Sequence, residues 1–264
     1  MSKVDASVEK FNYYPSNLKY YEYIYSDHIK YSNELLSTIL PILKQNSVDS
    51  VLDACCGVGN DIEFFLKNQF SVYASDLSQR MVDYTKKRVA KFNIPESHFF
   101  QGNALDISKI VDRKFDLVCF RGNTLGHLSD VEQIKLIEEL LSVTKDDGFL
   151  LIDFRNGEKY FLNKPRYEQR GWGFDRIKKR FYFSFYLLSH SLSLSVKYKI
   201  KSILFLLDFR KFRVVRVNNQ IAAYYVVKES LINALESKKL KFEFIDVNCK
   251  GLPLIETILI KNSL

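Results

Sequence analysis

Three stretches of the chain carry residues whose types and spacing suit chemistry. In VLDACCGVGN, residues 51–60, an apolar run breaks into Gly57 and Gly59, and the next apolar run, FSVYASD, ends on Asp76. Glycines at a strand-to-helix turn let backbone approach a ligand closely. An acid at the end of the following strand stands where a carboxylate accepts hydrogen bonds from two ribose hydroxyls. The dinucleotide pattern G-x-G-x-x-G fails, because its third glycine is Ile62. The pair therefore reads as a nucleoside site without a pyrophosphate, against the alternative that Asp76 only caps the next helix.

The second stretch, FDLVCFRGNTLGHL at 115–128, takes a buried strand abruptly into Arg121, Gly122 and Asn123. Gly122 allows close approach and Asn123 offers an amide to an acceptor molecule. Arg121 either adds a cationic contact for an acidic substrate or pairs with an acid on the adjoining helix. His127 is spaced to approach an acceptor as a general base, or it is a structural hydrogen-bonder. The third stretch, LLIDFRN at 150–156, closes a strand on Arg155. A guanidinium there can fork onto a carboxylate, unless it is taken up by a neighbour such as Asp153. The sequence shows no Ser/His/Asp triad and no metal-ligand cluster. Cys55, Cys56, Cys119 and Cys249 form no CxxC, which suits neither a disulfide framework nor a zinc site; they read as reduced thiols of a cytoplasmic protein.

The elements that must hold these residues alternate. A helix is expected from Asn33, ended or kinked at Pro41. Strands at 50–54, 70–76, 98–107, 115–120 and 149–154 are separated by helices at 60–68, 78–92 and 129–145, the last capped by Ser129 or Asp130. That order predicts a doubly wound parallel sheet. After Arg155 the pattern changes to alternating, β-branched and aromatic runs, which indicates an inserted antiparallel β-sheet. One more helix, KESLINALESKKL, and two strands, KFEFIDVN and ETILIKN, close the chain. The expected division is a Tyr-rich lid and helix at 1–48, a core domain at 49–154 and 228–264, and the insert at 155–227.

At 264 residues and 47% hydrophobic composition, the chain can bury a full core. It has no apolar run near the roughly 20 residues of a membrane span, and no basic-then-apolar leader. Its charge of +8 is uneven: residues 155–217 hold sixteen Lys/Arg against four Asp/Glu. Such a block is either a solvated face or an attraction for an anionic partner.

The run from Val51 to Ile152 resembles a class I methyltransferase that uses S-adenosylmethionine. VLDACCGVGN stands as its first motif, Asp76 as the ribose acid, and GNALDI as the adenine-side loop. The closing helix and hairpin are similar to those of that fold, whose last strand is antiparallel to the rest. The resemblance thus implies a mostly parallel, seven-stranded Rossmann-like sheet. It also implies a cofactor cradle of Asp53, Cys55, Gly57 and Gly59, then Asp76, Leu77 and Met81, the loop Asn103, Ala104 and Leu105, and Phe120, Arg121 and Gly122. Tyr25, in the lead-in YIYSDHIKY, would lie over the cofactor, and S-adenosylhomocysteine would be the product.

Within that fold the chain is nearest to the glycine and sarcosine N-methyltransferase group. FRGNTLGHL resembles its L-G-N-S-x-x-H-L, LLIDFRN its I-D-x-R-N, and QGNALDI its A-N-W-L loop. This implies catalytic roles for Asn123, His127 and Arg155, and an acceptor held by Arg121, Asn123, Arg155 and Tyr198. Arg121 stands where the group has an apolar residue, and Ala104 where it has an adenine-stacking tryptophan. The group's N-terminal arginine for the cofactor carboxylate is missing, with His28 or Lys30 as substitutes. The expected partner is a small carboxylate-bearing amine, with no membrane. A larger anionic substrate such as RNA, or a non-catalytic cofactor sensor, are the alternatives, and the oligomeric state is open.

Overall fold

The computed structural model describes residues 26–128, 130–156, 216–217, 220–221, 226, 228–247 and 255–262. Tyr25, Tyr198, Ser129, Cys249 and nearly all of the expected insert lie outside them.

The elements are α1 (Ser26–Gln45), β1 (Ser50–Asp53), α2 (Asn60–Lys67), β2 (Ser71–Asp76), α3 (Gln79–Val89), β3 (Phe99–Gln101), β4 (Phe115–Phe120), α4 (Asp130–Ser142) and β5 (Thr144–Arg155). After the insert come α5 (Lys228–Ser237), β6 (Lys241–Ile245) and β7 (Ile255–Lys261). They form one seven-stranded sheet in the order β3-β2-β1-β4-β5-β7-β6. β7 runs antiparallel to both of its neighbours, and the other pairings in β1–β5 are parallel. Of the expected insert, its two ends, bridged at Asn156 and Val226, and a short antiparallel pair, Arg216–Val217 with Gln220–Ile221, are described.

Alternation along the strands builds a layer of helices on each face. Val51, Leu117, Cys119, Leu151 and Leu259 point to one face, where Leu36, Ile39 and Leu43 of α1 and Ile62 and Phe65 of α2 cover them. Leu52, Val118, Phe120, Leu150, Ile152 and Ile258 point to the other, against Leu136, Ile137 and Leu140 of α4 and Leu231 and Leu235 of α5. Strands buried on both faces read as unbroken apolar runs, which is why VLD, LVCF and LLIDF lack polar alternation. Each fully buried Leu or Ile contributes about 1.5–3 kcal/mol.

Several boundaries differ from the sequence expectation. Helix α1 starts at Ser26 and runs through Pro41. Buried Leu36, Ile39 and Leu43 on either side of the proline hold the helix to the sheet across it. Strand β3 stops at Gln101, because Asn103 accepts the Leu105 N–H and turns the chain into a 3₁₀ segment, Ala104–Lys109. Helix α4 ends at Ser142, and β5 begins at Thr144, whose hydroxyl donates to Leu140 O.

At the end of the sheet opposite the glycine turn, Asp116 ties three strands together. Its carboxylate accepts from Ser50 N at 2.9 Å, Ser50 Oγ at 2.6 Å and Lys145 Nζ at 2.9 Å. These bonds outweigh the burial that would raise its pKa and hold it down at about 2. A carboxyl depressed from 3.8 stabilises the fold above its unfolded value, and the contribution is lost as pH falls to about 2. Asp116→Asn should therefore lower the thermal midpoint at pH 7, by about 1–2 kcal/mol of stability. The gap to the wild type should narrow between pH 4 and pH 2, as followed by circular dichroism. A pH-independent gap would remove the charge of Asp116 from the account.

Candidate active site

The candidate residues gather at the carboxyl ends of β1, β2, β4 and β5. Strand β1 ends at Asp53, and the chain turns over Cys55 to Gly59 into α2. Gly57 and Gly59 both have positive φ, 52° and 77°. A side chain at Gly59 would meet Thr85 of α3 at 2.8 Å, so this glycine lets α2 and α3 close on each other. A side chain at Gly57 would meet nothing within 4 Å. The space above Gly57 is open, and its backbone is free to lie against a ligand.

Asp76 faces that turn from the end of β2. Its Oδ2 accepts the Gly57 N–H at 2.9 Å and its Oδ1 the Ser78 N–H at 2.9 Å, just ahead of α3. Asp76 thus orders both the glycine turn and the start of the next helix, and each oxygen retains acceptor capacity for a hydroxyl. It is 2% exposed. Burial outweighs the two N–H bonds and raises its pKa to about 6. A carboxyl raised this way favours the folded state when protonated, so above pH 6 its charge costs the fold about 3 kcal/mol. A buried acid kept at that cost is typical of a functional site.

The second half of the site is built on Asp153 in β5. Its carboxylate is buried and accepts Gly122 N–H at 3.1 Å and Asn123 N–H at 2.7 Å. Gly122 and Asn123 leave β4 with φ of 81° and 61°. Asparagine is among the few side chains that adopt this left-handed region readily. Asn123 Oδ1 then accepts the Arg155 N–H at 2.9 Å. The two residues expected to hold an acceptor are therefore joined directly, and the Arg155 side chain is half-buried at the end of β5.

Arg121 closes the floor. It is 5% exposed, and its Nη1 donates to Asp61 Oδ2 at 2.6 Å and to Ser32 Oγ at 3.0 Å. The Ser32 hydroxyl donates in turn to Asp61. On its other side, Arg121 Nε lies 3.6 Å from Asp153 Oδ2. Burial opposes the guanidinium charge, yet Asp61 and Asp153 outweigh it and raise the Arg121 pKa further. Its charge is thus spent on protein carboxylates. The burial of Asp53 and Asp153 pushes both carboxyls up, and Asp61 adds to this at Asp53.

These groups surround a cleft of about 120 Å³ roofed by Ile29, Tyr31 and Ser32 of α1 and reaching Cys55, Gly57, Asn60, Gly122 and Thr124. It is smaller than the usual small-molecule site of about 300 Å³ or more. It is of a size for one polar end of a cofactor, and the space beside Gly57 is open. Asn60 Oδ1 is buried there with no hydrogen-bond partner, which is what a ligand donor would satisfy. The residues present therefore fit the expected cofactor.

Other expected contacts are placed as follows. Leu77, Ala104 and Leu105 are half-buried along β2 and β3. Asn103 uses its side-chain oxygen on the Leu105 N–H. Phe120 is buried in the core under α4. Met81 is fully buried on α3. His127 ends the 3₁₀ turn Thr124–His127. Among the described residues no group of three or more His, Cys, Asp or Glu could hold a metal. No described helix is long and apolar enough to cross a membrane. Ser32, Asn60, Asp61 and Thr124 were absent from the expected set. They reach the site through contacts between residues distant in the chain, and only the reading of Arg121 as a partner of an acid on the adjoining helix pointed toward Asp61.

Residues 51–148 match the family model described as "Methyltransferase domain". Human glycine N-methyltransferase is 28% identical over 137 residues, 47% of this chain and 46% of that protein. The chain thus matches about half the length of such curated relatives. A S-adenosylmethionine-dependent methyltransferase from Clostridium acetobutylicum ATCC 824 superposes with a TM-score of 0.61 at 15% identity, covering 92% of this chain and 98% of that one. Magnesium protoporphyrin IX methyltransferase (ChlM) from Synechocystis PCC 6803, with bound SAM, gives 0.59 at 13% identity, covering 100% and 99%. At such identities the two structures show the shared fold.

The buried Asp76 yields a pH signature. S-adenosylhomocysteine affinity, measured by calorimetry, should be flat above pH 6 and fall about tenfold per pH unit below it, as protons compete for the carboxylate. Asp76→Ala should bind weakly at every pH. Wild-type affinity in that variant would take Asp76 out of the site.

Proposed function

We propose that this chain, a member of the class I S-adenosylmethionine-dependent methyltransferases, moves a methyl group onto the nitrogen of a small amine that carries a carboxylate. One observation carries the acceptor class: Asn123 and Arg155, the positions that resemble the substrate-holding residues of glycine and sarcosine N-methyltransferases, are hydrogen-bonded to each other at the ligand end of the sheet. The name of the human relative points the same way. We take 49–154 and 228–264 as the cofactor domain, since β6 and β7 complete the sheet begun by β1–β5. Residues 155–227 would then form the acceptor side, with Tyr198 there and Tyr25 in the lead-in.

The cofactor, when bound, supplies an activated methyl on a sulfonium, so the protein need only bind, orient and exclude water. Asp76 would accept the ribose hydroxyls. Gly57 would let the backbone lie against the nucleoside, and the turn at Asn103–Leu105 would flank its base. Asp53 and Asn60, both on the cleft wall, are acceptors suited to an ammonium. On the other side, the Arg155 guanidinium would grip the acceptor carboxylate through two parallel hydrogen bonds. Asn123, its position fixed by Asp153, would set the distance between acceptor and methyl. Holding reactants in such a pose can remove about 7–11 kcal/mol of barrier. In this reading the chain works in the cytoplasm on a small-molecule acceptor.

Arg155→Lys separates cofactor from acceptor. With glycine or sarcosine as the acceptor, turnover should fall on the order of 100-fold, because a lysine cannot reproduce the planar fork. S-adenosylhomocysteine affinity should stay within about twofold of wild type, since the substitution keeps the charge and lies off the nucleoside turn. Equal losses in both would assign Arg155 to the cofactor and withdraw the carboxylate-bearing acceptor.

A further inference from the structure

Arg121 occupies the boundary between the two halves of the site, and its bonds reach both. On the cofactor side, one nitrogen, Nη1, holds Asp61 at the first turn of α2 and Ser32 in α1. On the acceptor side, Nε faces Asp153 at 3.6 Å and makes no hydrogen bond, although it is buried. Asp153 in turn fixes Gly122 and Asn123, and Asn123 fixes the Arg155 amide. The Arg121 carbonyl also accepts the Thr124 hydroxyl, which contacts Cys55 Sγ at 3.3 Å in the glycine turn. Apart from the local Arg121–Thr124 bond, each step joins residues far apart in sequence, and Ser32, Cys55, Asp61, Arg121, Thr124 and Asp153 line one cleft.

An arginine buried only to neutralise an acid would be expected to satisfy all its donors, because an unpaired buried donor costs about 1–3 kcal/mol. Here the Asp61 side is tight and the Asp153 side is slack. The guanidinium is planar and rigid, so a shift of α1 or α2 that moves Asp61 or Ser32 must also move Nε toward or away from Asp153.

We propose that Arg121 is a positioning residue that couples the cofactor-side helices α1 and α2 to the acceptor loop Gly122–Asn123 through Asp153. The coupling deepens the methyltransferase reading and rests on it for its purpose, while its mechanics belong to the chain alone. Ligand seated against α1 and α2 draws the Nε–Asp153 contact closed and so holds Asn123 and Arg155 in place before the acceptor arrives.

Amide hydrogen exchange of the full chain tests this without turnover. Two variants are compared with wild type: Ser32→Ala, a mild change in α1, and Arg121→Lys, which keeps the charge but cannot span both acids. The expected result is at least threefold faster exchange at Gly122, Asn123 and Arg155 in both, with the α4 and α5 amides unchanged. Saturating S-adenosylhomocysteine should slow exchange at those three amides in wild type. In Arg121→Lys, loaded to saturation as checked by calorimetry, it should fail to do so. Wild-type exchange at Gly122, Asn123 and Arg155 in both variants would overturn the coupling, and so would ligand protection that survives Arg121→Lys. A wild-type chain that binds no S-adenosylhomocysteine would defeat the cofactor reading, and the ligand-free comparison would still decide the coupling.

Discussion

The chain leaves β4 through Gly122 and Asn123, both at positive φ, and this conformation turns two backbone N–H groups into the interior. Buried donors must find acceptors, and here no strand or helix can provide them. The Asp153 carboxylate, projecting from the neighbouring strand, takes both. Much of the site depends on that single acceptor. It sets the loop that carries Asn123, it brings Asn123 against Arg155, and its buried charge calls for a cation beside it. Arg121 is that cation, and its second acid, Asp61, brings α1 and α2 into the same network.

Such a floor is expensive to build. Asp53, Asp61, Asp153 and the Arg121 guanidinium line one cleft, and burial raises the pKa of Asp53, Asp153 and the nearby Asp76. Removing one partner of a buried pair like Arg121–Asp61 costs about 3–5 kcal/mol, whereas an apolar pair of similar size is often as stable or better. Stability therefore gives no reason for this arrangement, and orientation does. Stability comes from the two apolar faces of the sheet and from ties such as Asp116, which lie away from the ligand end. The division leaves the carboxyl ends of the strands free to hold polar groups in fixed positions.

Much of the architecture was legible in the sequence because it follows from local rules. VLD and LVCF read as strands buried on both faces, and β4 spans Phe115–Phe120 as expected. The order of strands and helices follows from alternating periodicity. The glycine turn and Asp76 were legible as a pair because turn chemistry and the strand end fix their places. Boundaries failed where a single side-chain bond overrides periodicity, as at Asn103, which ends β3 early. Pro41 does not end α1, because apolar residues on both sides of it hold the helix to the sheet. The role of Asp153 was hidden because it is read in sequence as a neighbour of Arg155, and only the sheet reveals Gly122 and Asn123 opposite it. Ser32 and Asp61 were hidden likewise, since no periodicity links them to Arg121.

The central claim is that a methyl group passes from S-adenosylmethionine to the nitrogen of a small, carboxylate-bearing amine. It is tested most directly by incubating the protein with cofactor labelled in its methyl carbon and three separate acceptor pools: amino acids, small amines lacking a carboxylate, and total RNA. The account predicts label in the amino-acid pool, on nitrogen, with little in the other two. Label confined to RNA or to the simple amines would contradict it, as would a protein that binds the cofactor and labels nothing.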